Sequence, residues 1–251
     1  MAPEEKFKFD LEGYLVVKNV LTPDGLNHMN AVSDTIFSDD GESGTNRISR
    51  VSQWGPAFQA LMDHPKIVPY LIELLGPKFR IDHDYCIFMK KGAKRGQLHG
   101  GETDREADHW YKYRDGLMRN GLTVVTFFLS PAKAGDGGFA CIPGSHKSNF
   151  VHSLPGDVRS FERPVHYVVQ PEVDAGDALI FTEALIHGTM PWTASRERRA
   201  LLYKYSPGHS AWSQGYYNPK DYPNLTEQQQ RLMAPPSVGS RPDTVETRSE
   251  L

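Results

Sequence analysis

The stretch AGDALIFTEALIHGTMPWTASRERRALLYKY, residues 175–205, places two β-patterned runs on either side of a histidine. Ala175-Gly176-Asp177 is a turn tripeptide, and the apolar Ala178–Phe181 after it has the residue types of a buried strand. Ala200–Tyr205 supplies the second run. His187 follows the first, where a ligand at the rim of a barrel would stand. In the second, strand alternation puts Arg198, Ala200 and Leu202 on one face and Arg199 and Leu201 on the other. A single arginine at a barrel mouth is suited to clamp a carboxylate bidentately, so Arg198 is a candidate anion-binding residue. Arg196 and Arg199 read as solvated surface charges.

The same pattern recurs upstream. Phe79–Met89, Leu122–Leu129 and Val165–Gln170 are further β-like runs. Lys91-Gly92-Ala93, Gly135-Asp136-Gly137-Gly138 and Pro155-Gly156-Asp157 supply turns between them. Many short strands at this spacing predict a jelly roll, a double-stranded β-helix of the cupin type, with flanking helices. Before it, Phe9–Val20 reads as a strand centred on Tyr14–Val17 after a bend at Gly13. Thr22 then caps a helix with Pro23 at its first position and Leu26, Met29, Val32 (or Ser33) and Ile36 inward. Asp39–Gly44 is a polar loop, and a second helix is expected over Ala57–Leu75, stopped by Gly76-Pro77. From about Pro235 the composition turns to Pro, Ser, Arg and Glu, which predicts one domain over residues 1–234 and a loose tail over 235–251.

The chain has 251 residues, a formal charge of −3 and 39% hydrophobic residues, enough for one large β-rich domain with a sizeable core. The near-neutral balance provides no basic face for a nucleic-acid polymer. No apolar run reaches the length of a membrane span, and the polar start Met1-Ala2-Pro3-Glu4-Glu5-Lys6 lacks a signal-peptide core. Cys86 and Cys141 sit in apolar company and read as buried free thiols. A soluble cytoplasmic protein is the expectation.

The second chemical feature is Gln97-Leu98-His99-Gly100-Gly101-Glu102. A His-x-Asp step on a strand with a distant histidine forms the facial triad that holds non-haem Fe(II) and leaves positions open. On a strand, residue 101 would face the same side as His99, but it is glycine; Glu102 would point away unless a bend at Gly100-Gly101 redirects it. There is no Walker-type phosphate loop, and Ser145-His146 has no third partner for nucleophilic catalysis.

Taken together, these segments resemble the phytanoyl-CoA dioxygenase-like family of Fe(II)- and 2-oxoglutarate-dependent oxygenases. The resemblance runs over roughly Phe9–His209 and rests on DLEGYLVVKNVLTPDGL, QLHGG, GDGGFACIPGSHKSN and LIHGTMPWTASRERRALLYKYSPGH. It implies that His99 and His187 are iron ligands, and that Arg198 with Thr189 binds the distal carboxylate of 2-oxoglutarate. It gives His146 a structural role. Family hydroxylases carry an aspartate where this chain has Gly101. That departure resembles the 2-oxoglutarate-dependent halogenases, in which chloride or bromide takes the place of the carboxylate. The implied activity is chlorination of an unactivated aliphatic C–H bond, using Fe(II), 2-oxoglutarate, O2 and a halide held beside Gly101.

Two alternatives stand beside it. An ordinary hydroxylase needs a substitute carboxylate (Glu102, Asp104 or Asp108) or water in the open position, and a non-catalytic binding protein would keep the scaffold without turnover. For the substrate, the segment Glu102–Arg119 is placed as a lid. His109 and Trp110 are candidates for stacking on a ring. Lys90, Lys91, Lys94, Arg95 and Lys147 are candidates for receiving an anionic group, which favours a free small metabolite such as a nucleotide.

Overall fold

The computed structural model describes residues 1–37, 44–94, 96–101, 106–239 and 241–246. The elements in chain order are α1 (Pro3–Glu12), β1 (Tyr14–Val17), α2 (Pro23–Ile36), β2 (Thr45–Asn46), α3 (Pro56–Gln59), α4 (Val68–Leu75), β3 (Arg80–Met89) and β4 (Tyr111–Arg114). There follow β5 (Leu117–Asn120), β6 (Thr123–Phe128), β7 (Gly138–Cys141), α5 (Gly156–Arg159), β8 (Ala178–Thr182), β9 (His187–Met190), β10 (Arg198–Ser206) and α6 (Glu227–Met233). Six strands form an antiparallel sheet in the order β1-β8-β6-β10-β3-β2, and β7 pairs with β9 as a second, smaller sheet.

Period-two alternation divides the large sheet into two faces. Cys86, Phe88, Val125, Phe127, Leu201, Tyr203 and Tyr205 point to one side and pack with Phe58, Leu61, Leu71 and Leu74 of the helical layer. Tyr203 and Tyr205 end that contact by donating their hydroxyls to Phe58 O at 2.8 Å and Met62 O at 2.9 Å. Tyr85, Ile87, Val124, Phe128, Leu179, Phe181 and Leu202 point to the other side, where Phe139 and Cys141 of β7 close over them. With both faces covered, β6 and β8 are buried along their length, which is why they read as continuous apolar runs. This is the expected jelly roll, mainly β with helices against one face.

Two buried aspartates on β3 fasten the chain after β10. Asp82 accepts from Arg80 Nη1 (2.9 Å), Trp212 N (2.9 Å) and Ser213 N (3.0 Å), so the segment bearing Trp212 is held beside the barrel. Asp84 accepts from Ser52 N at 2.9 Å and from the Tyr217 hydroxyl.

Several local expectations need correction. Phe9 belongs to α1, which starts at Pro3 with Glu4 and Glu5 in its first turn and ends at Gly13 (φ 81°). The helix expected over Ala57–Leu75 is broken into α3, a 3-10 turn at Ala60–Asp63 and α4, because His64 precedes Pro65 and takes an extended conformation (φ −54°, ψ 126°). Ile36 is exposed at the end of α2 rather than inward. Val165–Gln170 contributes only the bridge Val169–Cys141 instead of a strand. In the segment expected to be a loose tail, Arg241 is buried and donates to Lys78 O (3.0 Å), Ala234 O (2.8 Å) and Arg231 O (2.9 Å). Cys86 and Cys141 are buried free thiols, as read. Residues 39–43 of the polar loop lie outside the described residues. Among the described residues, no helix is long and apolar enough to cross a membrane.

Candidate metal centre

His99 and His187 face each other across a reciprocal backbone pair, with both N–H···O bonds at 2.8 Å. Their rings approach to 4.4 Å between centroids. Each ring then makes the same second bond. His99 Nδ1 lies 2.9 Å from Gln97 O, and His187 Nδ1 lies 2.8 Å from Leu185 O, in each case the carbonyl two residues earlier. A carbonyl only accepts, so both Nδ1 atoms carry the proton and both Nε2 lone pairs are free. Metal-binding imidazoles are oriented this way. Burial lowers the His187 pKa to about 3, against the nearby Glu183 charge, so the ring is neutral at neutral pH.

The turn after His99 does not continue as a strand. Gly100 and Gly101 have φ of 126° and 87°, the region that favours glycine. A Cβ at 100 would run into Leu185 O, and one at 101 would meet Val151 Cγ1 at 3.1 Å. The alternation that placed residue 101 beside His99 therefore does not apply. Gly101 is part of a tight glycine turn and not simply an aspartate site with its side chain removed.

The carboxylate near the two imidazoles comes from elsewhere. Glu183 follows β8, four residues before His187, and is almost wholly buried. One ligand atom each from His99, Glu183 and His187 lies within 4.8 Å of the others. Glu183 Oε1 accepts from Lys204 Nζ at 2.6 Å, while Oε2 faces His187 Nε2 at 3.7 Å and His109 Nε2 at 3.9 Å. Burial alone would raise the Glu183 pKa, but the charge of Lys204 prevails and holds it well below the usual carboxylate range. Sequence reasoning missed Glu183, although an acid in the otherwise apolar run Phe181–Ile186 was a signal. Lys204 was the matching one, on the Arg198–Leu202 face of β10.

Arg198 enters the same cavity from β10. It is buried, donates Nη1 to Ile87 O at 3.2 Å and has no partner for Nε among the described residues. Burial lowers its pKa to about 10, and no carboxylate of the described residues bonds it. Gly138 gives its stem room, since a Cβ there would stand 2.8 Å from Nε. The cavity encloses about 430 Å³, and Thr189, Arg47 and Trp212 also line it.

The remaining expected residues separate. His109 lines the cavity, with neither ring nitrogen hydrogen-bonded among the described residues. Asp108, weighed as a substitute carboxylate, groups instead with Glu106 and His109. Glu102, Asp104 and Arg95 lie outside the described residues. Of the segment read as a lid, Tyr111–Asn120 is the β4–β5 hairpin, in contact with α4. Trp110 has Lys112 over its ring and takes no part in the cavity wall. Lys147 pairs with Asp10 at 3.2 Å in a different depression. Lys90, Lys91 and Lys94 are exposed. His146 binds Asp10 O at 3.1 Å and packs edge-on against Tyr111, tying α1 to the barrel as a structural residue would.

The family model described as "Phytanoyl-CoA dioxygenase" matches residues 9–200. No curated protein matches the chain in sequence. Among solved structures, HygX from Streptomyces hygroscopicus with nickel and 2-oxoglutarate bound superposes with a TM-score of 0.75 at 22% identity, over 82% of this chain and 87% of that one. The non-haem α-ketoglutarate-dependent carbocyclase SnoK from nogalamycin biosynthesis has a TM-score of 0.64 at 15% identity, over 94% and 92%. AviO1 from Streptomyces viridochromogenes Tue57 has a TM-score of 0.59 at 18% identity, over 80% and 92%. At these identities the likeness speaks for the fold.

Proposed function

The chain belongs to the phytanoyl-CoA dioxygenase family, and from that premise we propose that it is an Fe(II)- and 2-oxoglutarate-dependent oxygenase acting on an aliphatic C–H bond of a small polar metabolite. The observation that carries this reading is the pair of imidazoles His99 and His187, each with its Nδ1 proton on a carbonyl and its Nε2 unprotonated, in one cavity with the guanidinium of Arg198, which no carboxylate of the described residues pairs. Imidazole nitrogens with a carboxylate close by are a donor set for a first-row divalent ion such as Fe(II). A buried cation without a counter-ion is costly, and a dicarboxylate cosubstrate whose far end reached Arg198 would remove that cost. When bound, the iron supplies the redox chemistry that divides O2, one atom entering succinate as CO2 leaves and one entering the product.

The chain's own residues do the positioning. His99 and His187 hold the metal; Arg198, with the Thr189 hydroxyl, fixes the far carboxylate and so the direction from which the keto acid arrives. Phe139 and Phe181, stacked or tilted against the His187 ring at 6.0 and 4.6 Å, keep bulk water from that side. The substrate then occupies the open half of the cavity, between His109, Arg47 and Trp212. Arg47, lying over the Tyr85 ring at 4.1 Å, suits a metabolite with an anionic group, a nucleotide among them.

Hydroxyl transfer is the main reading. Halogen transfer, with chloride or bromide as a further cofactor, is the second, and the sequence feature that favours it is glycine, not aspartate, two residues after His99. The test is anaerobic reconstitution with Fe(II), 2-oxoglutarate and chloride, then O2 and a panel of polar metabolites analysed by mass spectrometry. We expect O2-dependent succinate release and a product heavier by one oxygen. A chlorine isotope doublet in the product would select halogenation, and no succinate with any ligand would contradict both.

A further inference from the structure

We propose that Glu183 is the third protein ligand of the metal, so that the carboxylate comes from the same chain segment as His187 rather than from the turn after His99. This rests on the oxygenase reading above and specifies its metal site. The spacing Glu-x-x-x-His is made possible by the break between β8 and β9. The chain leaves the sheet at Thr182, Leu185 N bonds back to Thr182 O at 2.9 Å, and the resulting turn brings the side chains of residues 183 and 187 to the same point. Burying a carboxylate in an apolar strand end is expensive unless it is paired and hydrogen-bonded. Lys204 meets that requirement on Oε1, 2.6 Å away, and leaves Oε2 turned towards His187 and the cavity. Lys204 is held in turn by β10, between Val124 of β6 and His83 of β3 in register. The anchor therefore belongs to the sheet and not to a loop.

The consequence is chemical. Two imidazoles and a carboxylate complete a facial donor set, with the carboxylate's negative charge supplied by the chain. A halide is then not needed to balance the ion, and the remaining positions would be left to solvent or cosubstrate. Glycine at 100 and 101 permits the positive φ values of this turn, and the carboxylate reaches the imidazoles from the β8–β9 side instead.

The test uses the full-length protein and Co(II) as a spectroscopic probe, without turnover. Wild type should bind one Co(II), and its difference infrared spectrum on metal addition should show a shifted carboxylate band. Glu183→Gln should weaken Co(II) binding at least ~100-fold in calorimetry, more than the roughly 10–100-fold typical of a residue that only orients a ligand. In Glu183→Ala, formate should restore part of the affinity, because a small carboxylate enters the freed space. Unchanged affinity in Glu183→Gln, or no carboxylate band shift in wild type on Co(II) binding, would overturn the assignment while leaving the oxygenase reading standing. If wild type bound neither Co(II) nor Fe(II), both would fall. The infrared experiment on wild type requires no variant to fold.

Discussion

Replacing Arg198 with methionine should make the ligand-free protein more stable and cosubstrate binding far weaker. Arg198 is buried, one guanidinium nitrogen has no partner among the described residues, and burial brings its pKa from its ordinary value down to about 10. A depression of that size corresponds to about 3 kcal/mol of destabilisation of the charged group. Methionine occupies much of the same volume without the charge. Losing the bond from Nη1 to Ile87 O costs about 1 kcal/mol, leaving a net gain of about 2 kcal/mol. In a chain of 251 residues that raises Tm by roughly 4–8 °C. Removing one partner of a buried, ligand-bound charge pair costs about 3–5 kcal/mol, so the Kd for 2-oxoglutarate should rise by roughly two to four orders of magnitude. Thermal melts of the metal-free protein give the first quantity. Anaerobic titration of the Fe(II) form with 2-oxoglutarate, followed by its charge-transfer absorption, gives the second. A lower Tm together with unchanged 2-oxoglutarate affinity would refute the assignment of Arg198 as an anion clamp held ready at a cost in stability.

Asp82 would be raised by burial, but bonds from His83, Trp212 N and the charge of Arg80 hold it at about 2. It contributes about 2–3 kcal/mol above pH ~4 that is lost as pH falls from about 4 to about 2; Asp82→Asn should flatten this part of the acid denaturation curve measured by circular dichroism. Gly100→Ala forces a side chain into Leu185 O at φ 126° and should cost about 3 kcal/mol or more, with loss of Co(II) binding. Gly92→Ala, at φ 86° with nothing within 4 Å, should cost only about 1 kcal/mol in the same melts. Adding Gly101→Asp to Glu183→Ala should fail to recover Co(II) affinity, since at φ 87° the new side chain starts towards Val151.

Much of this was legible in the chain itself. The strand runs at Phe79–Met89, Leu122–Leu129, Ala178–Phe181 and Ala200–Tyr205 are close to β3, β6, β8 and β10, because buried strands show as apolar, β-branched and aromatic runs whatever their partners. The alternation on β10 correctly separated Arg198 from Arg199, which turns to the helical layer and pairs with Asp34 of α2 and with Glu197, so it is not the solvated charge expected. Pairings between distant segments were not legible in the same way. Local pattern cannot say that His64-Pro65 divides a helix whose apolar spacing continues on both sides, nor that the bridge at His99–His187 brings Glu183 beside both rings. Strand alternation also stops at Gly100 and Gly101, whose positive φ values turn the chain, the bend that two adjacent glycines allow. The acid within TEALIH and the lysine within LLYKYS are each unusual in a buried strand, and they account for one another only once β8 and β10 lie either side of β6.

The most direct measurement is a crystal structure of the protein loaded anaerobically with Fe(II) and 2-oxoglutarate in chloride buffer. We expect iron bonded to His99 Nε2, His187 Nε2 and Glu183 Oε2, with Lys204 still on Oε1. Chloride or water in the carboxylate position, with Glu183 bonded to Lys204 alone, would contradict it.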